Sequence, residues 1–119
     1  IMKLYLSIIL ISMTTTHATA SLLTLNNGDL QQEIQIKPFQ GLKVNQKCID
    51  LNDKCMALLS TKIKLIVKQT KIAGHPASKV CQAKGGHSII LKDNKKNEYD
   101  YCTFSDGSMV SSWDLEKTK

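Results

Sequence analysis

Four cysteines are the residues of this chain best suited to chemistry: Cys48, Cys55, Cys81 and Cys102. A thiol can act as a nucleophile, a metal ligand or a redox partner, or it can close a disulfide. The spacing argues against the first three. No Cys-x-x-Cys redox motif occurs, Cys48 and Cys55 have no histidine near them, and their separation is not that of a zinc knuckle. The histidines are His17, His75 and His87, and none has a carboxylate or a second ligand at motif spacing. Serines are plentiful, but none stands in a nucleophile elbow. Asp100, Asp114 and Glu116 are carboxylates without a cleft to pair in, if their surroundings are one helix and a small sheet. The expectation is a protein that is not an enzyme, holds no metal and no cofactor, and uses its cysteines as structural bonds.

Disulfides require an oxidising compartment, and the N-terminus reads as the route to one. Met2 is the expected start, Lys3 a positive n-region, and Leu4 to Met13 an apolar run of h-region length. Ala18-Thr19-Ala20 then fits the small-x-small cleavage rule, which predicts a signal peptide over 1–20. No cysteine stands at the cut to carry a lipid, and no later stretch is long enough to span a bilayer. The expected product is exported, periplasmic or secreted, and not lipid-anchored. Its charge is 15 lysines against 10 acidic residues, a net +5, with no arginine. Without the guanidinium fork, bidentate reading of phosphate or guanine is lost, and nucleic acid is not an expected partner. The positive charge still allows contact with an anionic membrane surface.

The elements that must position these residues fall into two segments, 21–73 and 74–119. In the first, Asn27-Gly28 signals a turn, and Leu30 to Ile36 is open between strand and short helix before Pro38 and Gly41 interrupt it. Cys48 to Cys55 is a compact cysteine loop. A straight helix would hold those two sulfurs about 10 Å apart, too far to bond. Either the loop is closed by its own disulfide or each cysteine pairs elsewhere. Asn52-Asp53 is a candidate cap for a short helix through Leu59, and Lys62 to Lys68 reads as a strand.

The second segment is more legible. Pro76 suits a first helical position, and Ala77 to Lys84 follows with Ala77, Val80 and Cys81 on one face. Gly85-Gly86 stops the helix, with the first glycine in the left-handed cap. Three strands are expected after it, at His87–Leu91, Glu98–Phe104 and Ser108–Leu115, with Asp106-Gly107 in the second turn. The expected fold class is α+β: a C-terminal helix followed by a three-stranded antiparallel meander, stapled by disulfides. On the middle strand Asp100, Cys102 and Phe104 share one face and Tyr99 and Tyr101 the other. Phe104 and Trp113 are expected in the core, and Tyr99 and Tyr101 on an exposed binding face.

His75-Pro76-Ala77-Ser78, Cys81, Gly85-Gly86, Tyr101-Cys102-Thr103-Phe104, Asp106-Gly107-Ser108 and Trp113 together resemble the small bacterial domain labelled "putative hemolysin", a domain of unknown function. The resemblance covers 75–114. The family's usual asparagine before Pro76 is His75 here. Val110 replaces a cysteine that many members carry, and that cysteine's C-terminal partner is missing too, as loss of one disulfide would leave it. The pair that remains, Cys81 and Cys102, is the pairing the resemblance favours. The family implies an exported bacterial protein, and its label implies lysis. The expected function is a non-enzymatic binding module in the periplasm or outside the cell, with an envelope or extracellular macromolecule, a protein above all, as partner. The alternative is a membrane-active protein acting through Lys62 to Lys71.

Overall fold

The structure, a computed structural model, describes Ile11, residues 20–65 and residues 75–119. Apart from Ile11, the signal-peptide segment before Ala20 lies outside the described residues, as do residues 66–71 of the basic stretch 62–71.

Strand β1 (Ser21–Asn27) turns through Gly28-Asp29 into β2 (Leu30–Phe39), pairing from Ser21↔Ile36 to Asn27↔Leu30. β2 turns through Gln40-Gly41 into β3 (Leu42–Asn45). Both residues of that turn have positive φ, 53° and 76°, as the twist of a two-residue hairpin requires. The choice left open over 30–36 is therefore settled as strand. Pro38 does not interrupt it. It sits exposed within β2 opposite Lys43. Helix α1 (Gln46–Leu51) starts at Asn45, whose side chain accepts the Cys48 N–H. A 3-10 turn at Asn52–Lys54 and helix α2 (Met56–Ser60) follow. Residues 62–65 form no strand.

Helix α3 (Pro76–Ala83) ends as its sequence requires. Gly85 has φ +87°, its N–H donates to Gln82 O, and the Gly86 N–H donates to Cys81 O, which completes a Schellman cap. β4 (His87–Lys92), β5 (Glu98–Thr103) and β6 (Met109–Ser111) follow, then helix α4 (Ser112–Glu116).

The expected α+β fold of a helix and a free three-stranded meander is overturned. β4, β5 and β6 are half of a closed six-stranded antiparallel barrel in the order β1-β2-β3-β6-β5-β4. The third strand keeps only three residues before the chain becomes helical, not the eight expected. Two three-stranded meanders thus meet edge to edge. Each seam is held by one residue pair, Thr24↔Lys92 and Val44↔Val110. An isolated meander would leave two hydrogen-bonding edges open; closure sets each against another edge, joined at these two pairs.

Strand alternation then gives two cores. Leu23, Ile34, Ile36, Leu91 and Tyr101 fill the barrel interior. Val44, Val110 and Cys102 point the other way, where Cys48, Ala57, Leu58, Val80 and Leu115 of the helices cover them together with Phe104. Both faces of β5 are buried in its middle, so Tyr101 is 3% exposed and not on an open face, contrary to expectation. Disulfides Cys48–Cys55 and Cys81–Cys102 span Cα separations of 5.1 and 5.5 Å. The first closes the loop on itself, and the second ties α3 to β5. All four cysteines are spent, which indicates an oxidising, non-cytoplasmic location. No helix among the described residues is long and apolar enough to cross a membrane.

Candidate functional site

The conspicuous motif residues of the second segment are occupied in holding the fold. Asp106 Oδ2 accepts the Met56 N–H at 2.8 Å, and Ser108 Oγ accepts the Ala57 N–H at 3.1 Å. The Asp-Gly-Ser turn therefore caps the start of α2, which has no cap of its own from Cys55. This replaces the cap expected from Asn52-Asp53. Asp106 also accepts the N–H and hydroxyl of Ser108. Burial pushes its carboxyl up, but these hydrogen bonds outweigh burial and hold it below the usual value. Asn45 Nδ2 donates to Gly107 O at 2.9 Å, so the starts of both α1 and α2 hang on this turn.

Asp100, 9% exposed, is a second clamp. It accepts the hydroxyls of Ser88 on β4 and Ser112 on α4, and His75 Nε2 lies 2.9 Å from its Oδ2. His75 Nδ1 accepts the Ser78 N–H at 3.2 Å, making the imidazole the N-cap of α3. With Nδ1 accepting, Nε2 must carry the proton it gives to Asp100. His, Asp and Ser are thus side by side, but not as a nucleophilic relay. That relay needs a free ring nitrogen facing a serine hydroxyl. Here both ring nitrogens are spent and both serines donate to the carboxylate. The cluster binds β4, β5, α3 and α4 together.

His75 has one further contact. Its ring stacks on Trp113, with centroids 5.2 Å apart and planes 10° from parallel. Trp113 is 48% exposed, not in the core as expected. The reason is local. Ser111 ends β6 and starts α4, with Asp114 in the first helical turn. In a helix, Leu115 turns inward and Trp113 outward; on the expected strand both would have shared a face. The pattern Ser111-x-x-Asp114 was the available signal.

Trp113 lines a cleft of about 1060 Å3 at one end of the barrel. Ile36, Leu23 and Tyr101 form its floor, and Leu22 and Tyr99, 53% and 42% exposed, its apolar rim. Of the two tyrosines expected on a binding face, only Tyr99 is exposed. Its hydroxyl donates to Asp93 at 3.0 Å, which fixes the ring. The same Asp93 accepts the Asn97 side chain and the N–H groups of Lys95 and Asn97, and these bonds, Asn97's first, hold its carboxyl below the usual value. The phenol of Tyr101 is pushed up to about 12 by burial, with Asp114 and Tyr99 adding to it.

Three lysines also line the cleft: Lys37, Lys43 and Lys117. Among the described residues, none of them makes an ion pair; the pairs are His75–Asp100, Lys92–Glu98 and Lys119–Glu116. Nothing in the sequence marked Leu22, Lys37 or Lys43, because they reach the cleft only when the barrel closes.

Residues 73–118 match the family model of a domain of unknown function (DUF333). The match covers less than half of the chain and carries no hemolysin name. Neither the curated proteins nor the solved structures include a match to the chain. Within the DUF333 region, Cys81, Cys102, Gly86 and Asp106-Gly107-Ser108 all serve packing, bonding or capping. Trp113 is the large apolar member of the motif set that faces out. Among the described residues, no cluster of three or more His, Cys, Asp or Glu could hold a metal ion.

Proposed function

We propose that the chain is an exported, non-enzymatic binding module, and that its contact surface is the barrel-end cleft around Trp113. One observation carries the reading: the chain's single tryptophan is half exposed, braced by His75, at the rim of its large cleft. A large aromatic left in water and held rigid costs little further ordering on binding, and tryptophan is a common anchor where proteins meet partners. The signal-peptide pattern at 1–20 and the two disulfides support an exported location. The partner is an envelope or extracellular macromolecule. The membrane-active alternative depends on residues 62–71, of which 66–71 lie outside the described residues, and no observation favours it.

The test is co-sedimentation of the oxidised chain from Ser21, which carries every strand and helix described, with isolated bacterial cell-wall sacculi and outer-membrane vesicles. The wild type is expected in the pellet, and Trp113→Ala in the supernatant. Equal recovery of the two, or no pelleting of either, would sink the proposal.

A further inference from the structure

The unspent groups of the cleft are mixed in sign. Lys37, Lys43 and Lys117 line the cleft together with carboxylates of which most are already satisfied. Asp100 is bonded to His75 and two serines, Glu98 pairs with Lys92, and Asp93 is used by its own loop. That leaves Glu33, and Asp114 with one oxygen taken by the Lys43 N–H at 2.9 Å. An ion of either sign entering this cleft would meet charge of its own sign. Ammonium groups only donate hydrogen bonds and carboxylates only accept them. A hydroxyl does both, so a polyhydroxylated ligand can serve the two sets at once.

The aromatic rim selects among such ligands. The face of an indole is the negative side of its quadrupole. It attracts the weakly positive C–H groups that line one face of a sugar ring. Trp113 presents its uncovered surface to the cleft while His75 backs it, and Leu22 and Tyr99 extend the apolar rim. The volume of about 1060 Å3 lies at the upper end of small-molecule pockets, which run from about 300 to 1,000 Å3, and gives room for several rings. A peptide adding as a strand needs a run of unpaired backbone; β5 is paired by β4 along its whole length and by β6 from Tyr101 to Thr103, which leaves only Glu98–Asp100 for it.

We infer that the ligand is a glycan, a short run of uncharged pyranose rings with one ring lying on Trp113 and its hydroxyls shared between the lysines and Glu33. This rests on the cleft being the contact surface. Trp113, the sole tryptophan, reports directly. The oxidised chain is titrated with chitotriose, cellotriose and maltotriose while its emission is followed, and calorimetry serves for variants without the indole. At least one saccharide is expected to saturate the signal with little dependence on salt, since no net charge is exchanged. Trp113→Ala should weaken it at least about tenfold. Glu33→Gln and Lys117→Ala, both at exposed positions, should each weaken it about two- to tenfold, the worth of one hydrogen bond, with unfolding midpoints unchanged. Saturation by polyglutamate, polylysine or a protein fraction, with none by the saccharides, would overturn the glycan. If pelleting with envelope material still needs Trp113 in that case, the cleft stands and only its ligand class falls. If pelleting is lost too, both fall.

Discussion

Gly86→Ala is expected to be among the most damaging single-methyl changes in this chain, and the reason is the disulfide beneath it. A Cβ built at Gly86 falls inside contact distance of Cys102 Sγ and 3.1 Å from both Cys81 Sγ and Phe104 Cζ. Those sulfurs cannot swing aside, because each is bonded to the other and their Cα atoms are held by α3 and β5. Relief requires lifting the helix end from the sheet, which opens the core around Val80 and Phe104. Overpacking by one carbon costs about 1–3 kcal/mol in a core that can adjust; here the upper end or more, about 3 kcal/mol, is expected. Gly85→Ala is the control. Nothing lies within 4 Å of its Cβ, so only its φ of +87° is strained, at a cost of about 1 kcal/mol. The assay is urea unfolding of the oxidised chain. The measurement is then repeated with Cys81 and Cys102 both changed to Ala, which by itself should cost about 3 kcal/mol for a loop of this length. Removing the sulfurs removes the obstacle, so Gly86→Ala should cost less than about 1 kcal/mol there. The difference is a coupling energy of about 2 kcal/mol. An equal cost in both backgrounds would refute the steric argument.

Three further outcomes follow from the clamps and the floor of the cleft. His75→Asn should keep the α3 cap but, its amide being shorter than the ring, lose the contact to Asp100, so its stability falls by about 1 kcal/mol, the worth of one hydrogen bond; acrylamide quenching of Trp113 emission should rise as the stack is lost, and unchanged quenching would contradict the brace. Asp106, whose folded carboxyl is held below its usual value, contributes stability above its unfolded pKa that disappears as pH falls through the folded one; Asp106→Asn should therefore be less stable at neutral pH and show a shallower acid-side fall, read as melting temperature against pH. Tyr101, raised to about 12, keeps its proton in the folded chain where an unfolded phenol ionises near about 10, so stability should fall as pH rises between those values. Phenolate absorbance should show that late step in wild type and not in Tyr101→Phe, and identical titrations would exclude a buried phenol.

What could be read in the sequence was local. The start of α3 at Pro76, its stop at Gly85, and the strands around Leu91 and Cys102 each depend on neighbours within a few residues, and they form close to where they were expected. What could not be read was closure. Tyr101 and Cys102 were correctly put on opposite faces of one strand, but two-faced burial depends on β1 and β2 arriving from more than 60 positions away in the chain. The cleft is a product of that closure. Its walls come from β1, β2, β3, β5 and α4, and no window of sequence holds more than a fragment of it. Trp113 failed for a different reason: an apolar residue after a strand suits the core or a helix's outer face equally, and the helix start at Ser111 decides which.

The DUF333 match begins at residue 73, but the folded unit does not. Residues 75–119 bring β4, β5 and β6 with one disulfide and the helices α3 and α4, and the rest of what covers them comes from before residue 66. Leu91 and Tyr101 pack against Leu23, Ile34 and Ile36; Val80, Phe104, Val110 and Leu115 pack with Val44, Cys48, Ala57 and Leu58. A large buried side chain is worth about 2 kcal/mol. Uncovering half the surface of Val80, Leu91, Phe104, Val110 and Leu115 therefore costs about 5 kcal/mol, comparable to the whole stability of a small domain. Both seam pairs are lost as well, leaving β4 and β6 as open edges, and Asp106 and Ser108 lose the α2 amides they cap. A fragment of residues 73–119 with its disulfide formed is expected to lack dispersed amide resonances and a cooperative unfolding transition. Adding the separate segment 21–65 should restore both if the two meanders assemble as the barrel shows. A fragment that folds alone would mean that the second half carries its own core, and that the N-terminal wall of the cleft is an attachment to it.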